Sequence, residues 1–304
     1  MNELIYAIVS SFKTIIQWKI SKLALISGVS LMIVWIIIGL ILWHPLTSFT
    51  ASLLNFVPFA LIKSNGAFML SSLLFVQAIL VSLAFIIIIL STVIVKDAKE
   101  KRFPLFIISI ALVVIAFWVV IWFFNHAVIY TYLEKVLTWL PFATIEKAMS
   151  YIFALYILYS FYVVSLLLFV STFSREILKM GSADEIEKRS NKRIFIFTAR
   201  DSIIFLIVSI IAFPLFFVPI VNFFVQILVW VWLIKDTFSY DIGDIFYNED
   251  DIKKMKKEHK IALWSISFMS AMFNFIPILN IYSPYFGEFA LYHYFDEYEN
   301  KLRL

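Results

Sequence analysis

One phrase occurs twice in the last third of this 304-residue chain: Phe217-Val218-Pro219-Ile220-Val221-Asn222, then Phe275-Ile276-Pro277-Ile278-Leu279-Asn280. Each copy interrupts an apolar run and leaves arms of roughly 15–18 residues, where a helix needs about 20 to cross a bilayer. Each run is also entered and left through charged sequence. The pattern predicts two helical hairpins, from about Ser202 to Ile234 and from about Ile261 to Phe295. Each would enter a membrane, break at its proline–asparagine bend and return to the side it came from. Unpaired backbone cannot face lipid, so other helices must shield the bends.

Composition supplies those helices. The chain is 62% hydrophobic and only 15% charged, short of the ~25% charge of soluble domains. Its apolar runs are continuous, unlike the alternating segments of barrel strands. The fold class expected is all-α and integral to the membrane, with four transmembrane helices and two re-entrant, hemi-penetrating hairpins. Residues 1–22 carry Leu4, Ile5, Ile8, Phe12, Ile15 and Ile16 at near-helical spacing, which predicts an interfacial amphipathic helix. The run that follows, Leu23 to Trp43, is too long for a signal-peptide core. A four-span region covers 23–173: Leu23–Trp43, about Leu70–Val95, Phe103–Phe124 and Ala148–Phe173. Short surface helices are expected between the paired spans, near 46–60 and 129–140. Trp43-His44 matches Asn125-His126, and Pro58-Phe59-Ala60 matches Pro141-Phe142-Ala143, which suggests a duplicated span, surface helix, span unit. Residues 174–304 hold the hairpins and two polar segments, 175–200 and 235–260. In the first of these, Ser182 and Glu185 fit a capping box for a helix starting near Ala183.

Basic residues fix the orientation. Of the 25 lysines and arginines, 22 fall before Leu23, in Lys96–Arg102, in the two polar segments or in the tail. That imbalance puts both termini and both hairpin mouths in the cytoplasm.

Catalytic signatures are absent, and no enzyme is expected. Six scattered glycines make no phosphate loop, and His44, His126, His259 and His293 lack metal-ligand spacing. With no cysteine there is neither a disulfide nor a thiolate site. Asp241, Asp244, Glu249, Asp250 and Asp251 lack the glycine of a calcium loop and read as a solvated acidic stretch. The four spans contain no Asp, Glu, Lys or Arg, which argues against ion-coupled transport through them. No cofactor and no nucleic-acid partner is implied. The positive signal is at the bends. Each returning arm starts inside the membrane, so its free amides and dipole can hold an anion. Ser283-Pro284 reads as an N-cap followed by proline at the first helical position, and Asn222 and Asn280 can cap backbone or offer an amide to a ligand. Pro219, Pro277 and Pro284 shape the bends. Glu288, the sole carboxylate within a hairpin arm, is expected to be partly exposed near the headgroups. Lys19, Lys22, Arg102, Arg193 and Arg200 either contact lipid phosphates or line an anion entry.

The two phrases, the intervening Phe238-Ser239-Tyr240-Asp241, and Ser283-Pro284 through Tyr292-His293-Tyr294-Phe295 together resemble the CysZ/EI24 family of membrane proteins. The resemblance covers roughly residues 150–298, with the N-terminal spans similar only in layout. It implies long transmembrane helices beside two hemi-penetrating hairpins in an oligomer. It also implies sulfate uptake without obvious energy coupling, as in bacterial members of the inner membrane. Sulfate-permease members carry a Gly-Leu-Arg phrase before the first span. This chain reads Lys19-Ile20-Ser21-Lys22 there, which keeps positive charge but loses arginine's planar fork.

The function expected is an uncoupled permease or channel for a small anion such as sulfate, in contact with membrane lipids and assembled as a homo-oligomer. Lys19, Ser21, Lys22, Arg200, Asn222, Asn280 and Ser283 are the expected anion-binding residues. The alternative is a non-transporting scaffold that binds partners through 175–200 and 235–260. Because the chain has no cysteine, a single introduced thiol reports topology. Asn280→Cys should resist an impermeant maleimide added outside while Lys63→Cys reacts; free external labelling of Asn280→Cys would remove the hairpin.

Overall fold

A computed structural model describes residues 2–55, 145–182, 191–217, 221–276 and 278–302, with scattered positions from 79 to 132. Every element among them is helical. The order is α1 (Asn2–Ile16), α2 (Trp18–Ile41), α3 (Trp43–Leu54), α4 (Ile145–Thr172), α5 (Ser174–Ser182) and α6 (Asn191–Ile211). A 3-10 turn (Phe213–Phe217) leads to α7 (Val221–Phe246), α8 (Glu249–Glu258) and α9 (Lys260–Phe273). A second 3-10 turn (Leu279–Tyr282) opens α10 (Ser283–Leu302). The expected second span, most of the third, their surface helix and the residues that would test a duplication lie outside the described residues.

Two helices are long and apolar enough to cross a membrane, Trp18–Ile41 and Ser150–Thr172. They coincide with the first and fourth expected spans. They run antiparallel: Trp35 Nε1 donates to Ser165 Oγ at 2.9 Å, and the Trp43 and Tyr151 rings meet at 5.2 Å. Beyond Leu42, α3 folds onto the start of α4, where Thr50 Oγ1 donates to the Ser150 carbonyl at 2.9 Å. The outer face of α2 leaves Met32, Ile33, Ile36, Ile37 and Leu40 exposed. Such a continuous apolar surface suits lipid rather than water.

The amphipathic stripe of α1 is covered by protein except at Ile16, which is exposed. It packs along α10, with the Phe12 ring 5.0 Å from Phe286 and 5.8 Å from Phe273. Ser11 and Thr14 turn their hydroxyls back onto the carbonyls of Ala7 and Ser10, which lets this face approach closely without leaving polar groups unpaired. Ser182 is the last residue of α5; Ala183 and Glu185, on which the expected capping box depends, lie outside the described residues. The α5 helix is carried through Gly181 because a Cβ there would sit 2.5 Å from the Phe289 ring.

The helices expected as hairpin arms pair antiparallel in both cases, and the two pairs extend to different levels of the bundle. In the first, Phe197 pairs with Tyr240 at 4.1 Å and Phe205 with Trp230 at 4.4 Å, so α6 and α7 are antiparallel arms. This hairpin follows α4 from the Ser171–Thr198 hydrogen bond at 2.6 Å to the Phe153–Phe213 ring contact at 4.5 Å. Eighteen residues of α4 separate Ser171 from Phe153, about 27 Å, so the bend reaches the end of the bundle where Leu54 of α3 sits. In the second, α9 and α10 pair through Phe273 and Phe286 at 4.9 Å, and His259, which precedes α9, meets Tyr298 at 4.5 Å. Its bend stops beside Gly28, where a Cβ would lie 2.6 Å from Ile281. The rest of α2, from Val29 to Ile41, continues past it for about 20 Å. The second hairpin packs among α1, α2, α4, α5 and α7; α9 leaves Ile261 and Phe268 exposed, while Tyr285, Phe286, Phe289 and Phe295 of α10 fill the core.

Close packing of these arms depends on Gly287, where a Cβ would come within 2.6 Å of Phe238 and 3.0 Å of Ser270 Oγ. Gly287→Val is therefore expected to cost ~1–3 kcal/mol by overpacking, read as a lower melting midpoint in detergent. Leu155→Ala, at an exposed apolar position, should move it little.

Candidate functional site

The second bend is where α2, α4 and the hairpin meet, and hydroxyls and amides line that junction. Ser21 of α2 shares a hydrogen bond with Tyr282 at 2.8 Å, and Ser27 shares one with Tyr285 at 2.7 Å. From α4, the Tyr159 hydroxyl donates to the Asn274 carbonyl. Asn280 Nδ2 donates to the Tyr159 oxygen at 3.4 Å. Helical spacing places Tyr159 and Tyr162 on the same face of α4. The Tyr162 hydroxyl and both side-chain amide atoms of Asn274 are buried without a hydrogen-bond partner. Unused donors and acceptors of this kind, held away from water, are costly to fold and suited to a polar guest. Ile278 follows the bend with φ 71° and is 69% exposed. A β-branched residue at positive φ is strained, so the surrounding contacts impose the bend's shape.

The expected anion residues divide among several environments. Ser21 and Asn280 reach the bend. Lys19 and Lys22 flank Ser21 on the first turns of α2, exposed. Arg200 lies apart on α6, its side chain 58% exposed, paired with Asp201 at 2.8 Å and lying 4.8 Å above the Phe197 ring. Ser283 is no N-cap. Its hydroxyl crosses to the Ser270 carbonyl at 2.7 Å while Ser270 Oγ donates to the Ser283 carbonyl at 2.6 Å. That reciprocal pair staples the two arms and spends both hydroxyl protons. Pro284 is buried in the first turn of α10. Pro219, Pro277 and the side chain of Asn222 lie outside the described residues.

A second polar cluster sits nearer the hairpin mouth, and sequence reasoning missed it. Glu288 was expected near the headgroups, partly exposed; it is 0% exposed. The Ser174 hydroxyl donates to its Oε1, and Oε2 has no partner. Asp241 and Asp244 were expected in a solvated stretch. Instead α7 continues through them to Phe246, and burial of Phe238 and Ile242 on the same helix draws them inward. Arg175, 3% exposed, donates from Nη2 to Asp244 Oδ2, leaving Nε and Nη1 without partners. Asp241 is buried beside the Ser171 hydroxyl, which shares a hydrogen bond with Thr198 at 2.6 Å. Burial, reinforced by the charge of Glu288, holds Asp241 well above the usual carboxylate range. The available signal was spacing: Asp241 and Asp244 share one helical face, and Arg175 follows directly on an apolar span.

Neither cluster has the ligands for a metal: among the described residues no group of three His, Cys, Asp or Glu side chains could hold one. The family model EI24, described as Sulfate transporter CysZ/Etoposide-induced protein 2.4, fits residues 98–284, more than half of the chain. No curated protein and no solved structure matches.

The raised Asp241 value sets a pH dependence. The unfolded chain releases this proton near 3.8 and the folded chain well above it, so the unfolded state binds fewer protons between those limits. Stability contributed by Asp241 is therefore complete below about pH 4 and declines as pH rises towards the folded value. Melting in detergent should show that decline, and Asp241→Asn should flatten it.

Proposed function

Starting from the fact that the chain belongs to the EI24 family of CysZ-like membrane proteins, we propose that it is a permease for a small inorganic anion, sulfate first among them. The anion moves down its own gradient, with no coupling ion carried by the apolar spans. The observation that carries this reading is the placement of the second bend. The family match covers the first hairpin and the second as far as Pro284, where its returning arm begins, and the bend docks on the turns of α2 that bear Lys19, Ser21 and Lys22. Exposed lysines raise the local anion concentration. The bend itself keeps the Tyr162 hydroxyl and the Asn274 side-chain amide as neutral donors that need no counter-charge.

A re-entrant second hairpin fits its dimensions. The 14 residues of α9 extend about 21 Å, short of the ~30 Å hydrocarbon core. The protein acts in a bacterial inner membrane, both termini in the cytoplasm, as a homo-oligomer whose lipid- and subunit-facing surfaces include the apolar ridges of α2 and α6. Burial also weighs against a scaffold. Within 235–260, Phe238, Ile242, Ile252 and Met255 are buried in this chain's own core, which leaves that segment less surface for a partner.

Labelled sulfate should enter proteoliposomes above the empty-vesicle background. Lys19→Ala/Lys22→Ala should lower the rate by about tenfold at low ionic strength and less at high salt, the mark of electrostatic steering. Background flux by the unmodified protein, alongside a conducting family member, would end the permease reading.

A further inference from the structure

Helical hydrogen bonding does not stop between α8 and α9. The His259 N–H donates to the Met255 carbonyl at 2.9 Å, and the Leu263 N–H to the His259 carbonyl at 3.0 Å. A single outer face therefore runs along both helices. The inner face is fixed by Ile252 and Met255, which pack on Gly243 of α7, and by His259, which packs on Tyr294 and Tyr298 of α10. On the outer face, steps of four and seven residues bring Lys257, Ile261 and Phe268 into line. Ile261 is 81% exposed and Phe268 48%. Trp264 is half-buried, three residues from Ile261 and four from Phe268.

The α8 end of this stripe is positive. The ion pairs around it go to other lysines: Lys254 reaches Glu258 at 3.9 Å, and Lys235 and Lys256 share Asp236 at 3.3 and 3.5 Å. Lys257 and Lys260 are exposed and take part in none of these pairs. Two lysines on one carboxylate leave a positive charge over, and Lys235 carries it to the stripe, its Nζ lying 5.0 Å above the Trp264 ring. The acids Glu249, Asp250 and Asp251 open α8 at its far end, and Asp251 is about 9 Å along the axis from Lys257.

Unpaired positive charge thus gives way within one turn to exposed apolar side chains, with an indole ring at the boundary. Phosphate followed by hydrocarbon is the matching order in a phospholipid, and indole rings settle at the level between the two. A soluble anion has no use for Ile261 and Phe268. A second copy in a two-fold contact would set lysines against lysines, and two exposed apolar residues fall far short of the ~800 Å² per partner of a stable interface. We propose that the outer face of α8 and α9 binds an anionic phospholipid of the leaflet at the hairpin mouth. Lys257 and Lys260 hold its phosphate, with Lys235 beside them, and an acyl chain runs past Trp264 along Ile261 and Phe268. The lipid braces α9, the arm whose Ser270 joins the returning arm and whose end bears the Asn274 carbonyl bound by Tyr159. The site does not depend on what the protein transports.

The full chain in detergent micelles doped with a single lipid tests the site. Native mass spectrometry should show phosphatidylglycerol retained and phosphatidylcholine lost. The melting midpoint should rise with the mole fraction of phosphatidylglycerol alone, because a ligand of the folded state stabilises it by mass action. Lys257→Ala/Lys260→Ala should weaken retention about thirtyfold, the effect of two lysines near an anionic lipid, and Phe268→Ala should weaken it several-fold. Lys13→Ala/Lys179→Ala removes two exposed lysines of α1 and α5 and should leave retention unchanged. Equal retention of the two lipids, or an equal loss in both lysine pairs, overturns the site. A midpoint raised by inorganic phosphate alone assigns the lysines to a soluble anion. A smaller assembly for Phe268→Ala, with lipid retention intact, assigns the stripe to a second copy. Either of these results overturns the proposal too.

Discussion

A chain that bends inside an apolar bundle must find partners for the backbone groups the bend exposes, because no water is there to take them. At the second hairpin the partners come from outside the bend itself. The Tyr159 hydroxyl takes the Asn274 carbonyl, and Ser270 and Ser283 exchange hydroxyl and carbonyl across the two arms. Tyr282 and Tyr285 are in turn tied to Ser21 and Ser27 of α2. The bend is stable only where α2 and α4 hold it, which makes these helices part of the site.

The same constraint explains why the small residues fall where they do. Gly28 admits Ile281 at the bend, and Gly287 admits Phe238 between the arms. Larger side chains would hold the helices apart and break hydroxyl contacts of 2.6–2.8 Å. Serine serves the same end: it is small enough for close approach and pairs its own polar group. The second hairpin therefore combines an aromatic core of Phe273, Phe286 and Phe289 with a thread of serines and asparagines, which satisfies the bend and leaves a few donors free.

The family places this chain among sulfate-transporter-like membrane proteins. Ionisable chemistry is still present, carried by elements that are not themselves spans: α5, the polar third of α7 and the returning arm α10 supply Arg175, Asp241, Asp244 and Glu288. Inspecting only the long apolar runs misses such a cluster, since each member sits in a segment that looks like ordinary polar sequence. The two hairpins also differ in depth, although one phrase builds both bends. The first lies along nearly the whole of α4, the second stops beside Gly28, and the difference comes from what each packs against.

Local chemistry was legible without coordinates. Continuous apolar runs predict helices in lipid, and the first and fourth spans appear as α2 and α4. The repeated proline–asparagine phrase predicts a break in each of two apolar runs, and α6 and α7, like α9 and α10, are separate antiparallel helices on either side of it. These features depend on hydropathy and backbone restriction, which neighbouring residues along the chain determine by themselves. Contacts between distant segments were not legible. The exposed fate expected for Glu288 and the solvated stretch expected at Asp241 and Asp244 failed, because α5 and α7 fold over α10 and replace water with Ser174 and Arg175. Ser283 was read as a cap for the same reason: its real partner, Ser270, belongs to the other arm. Burial and partnership are set by which surfaces meet in three dimensions, and a one-dimensional pattern carries that information only where the partner is a neighbour in sequence.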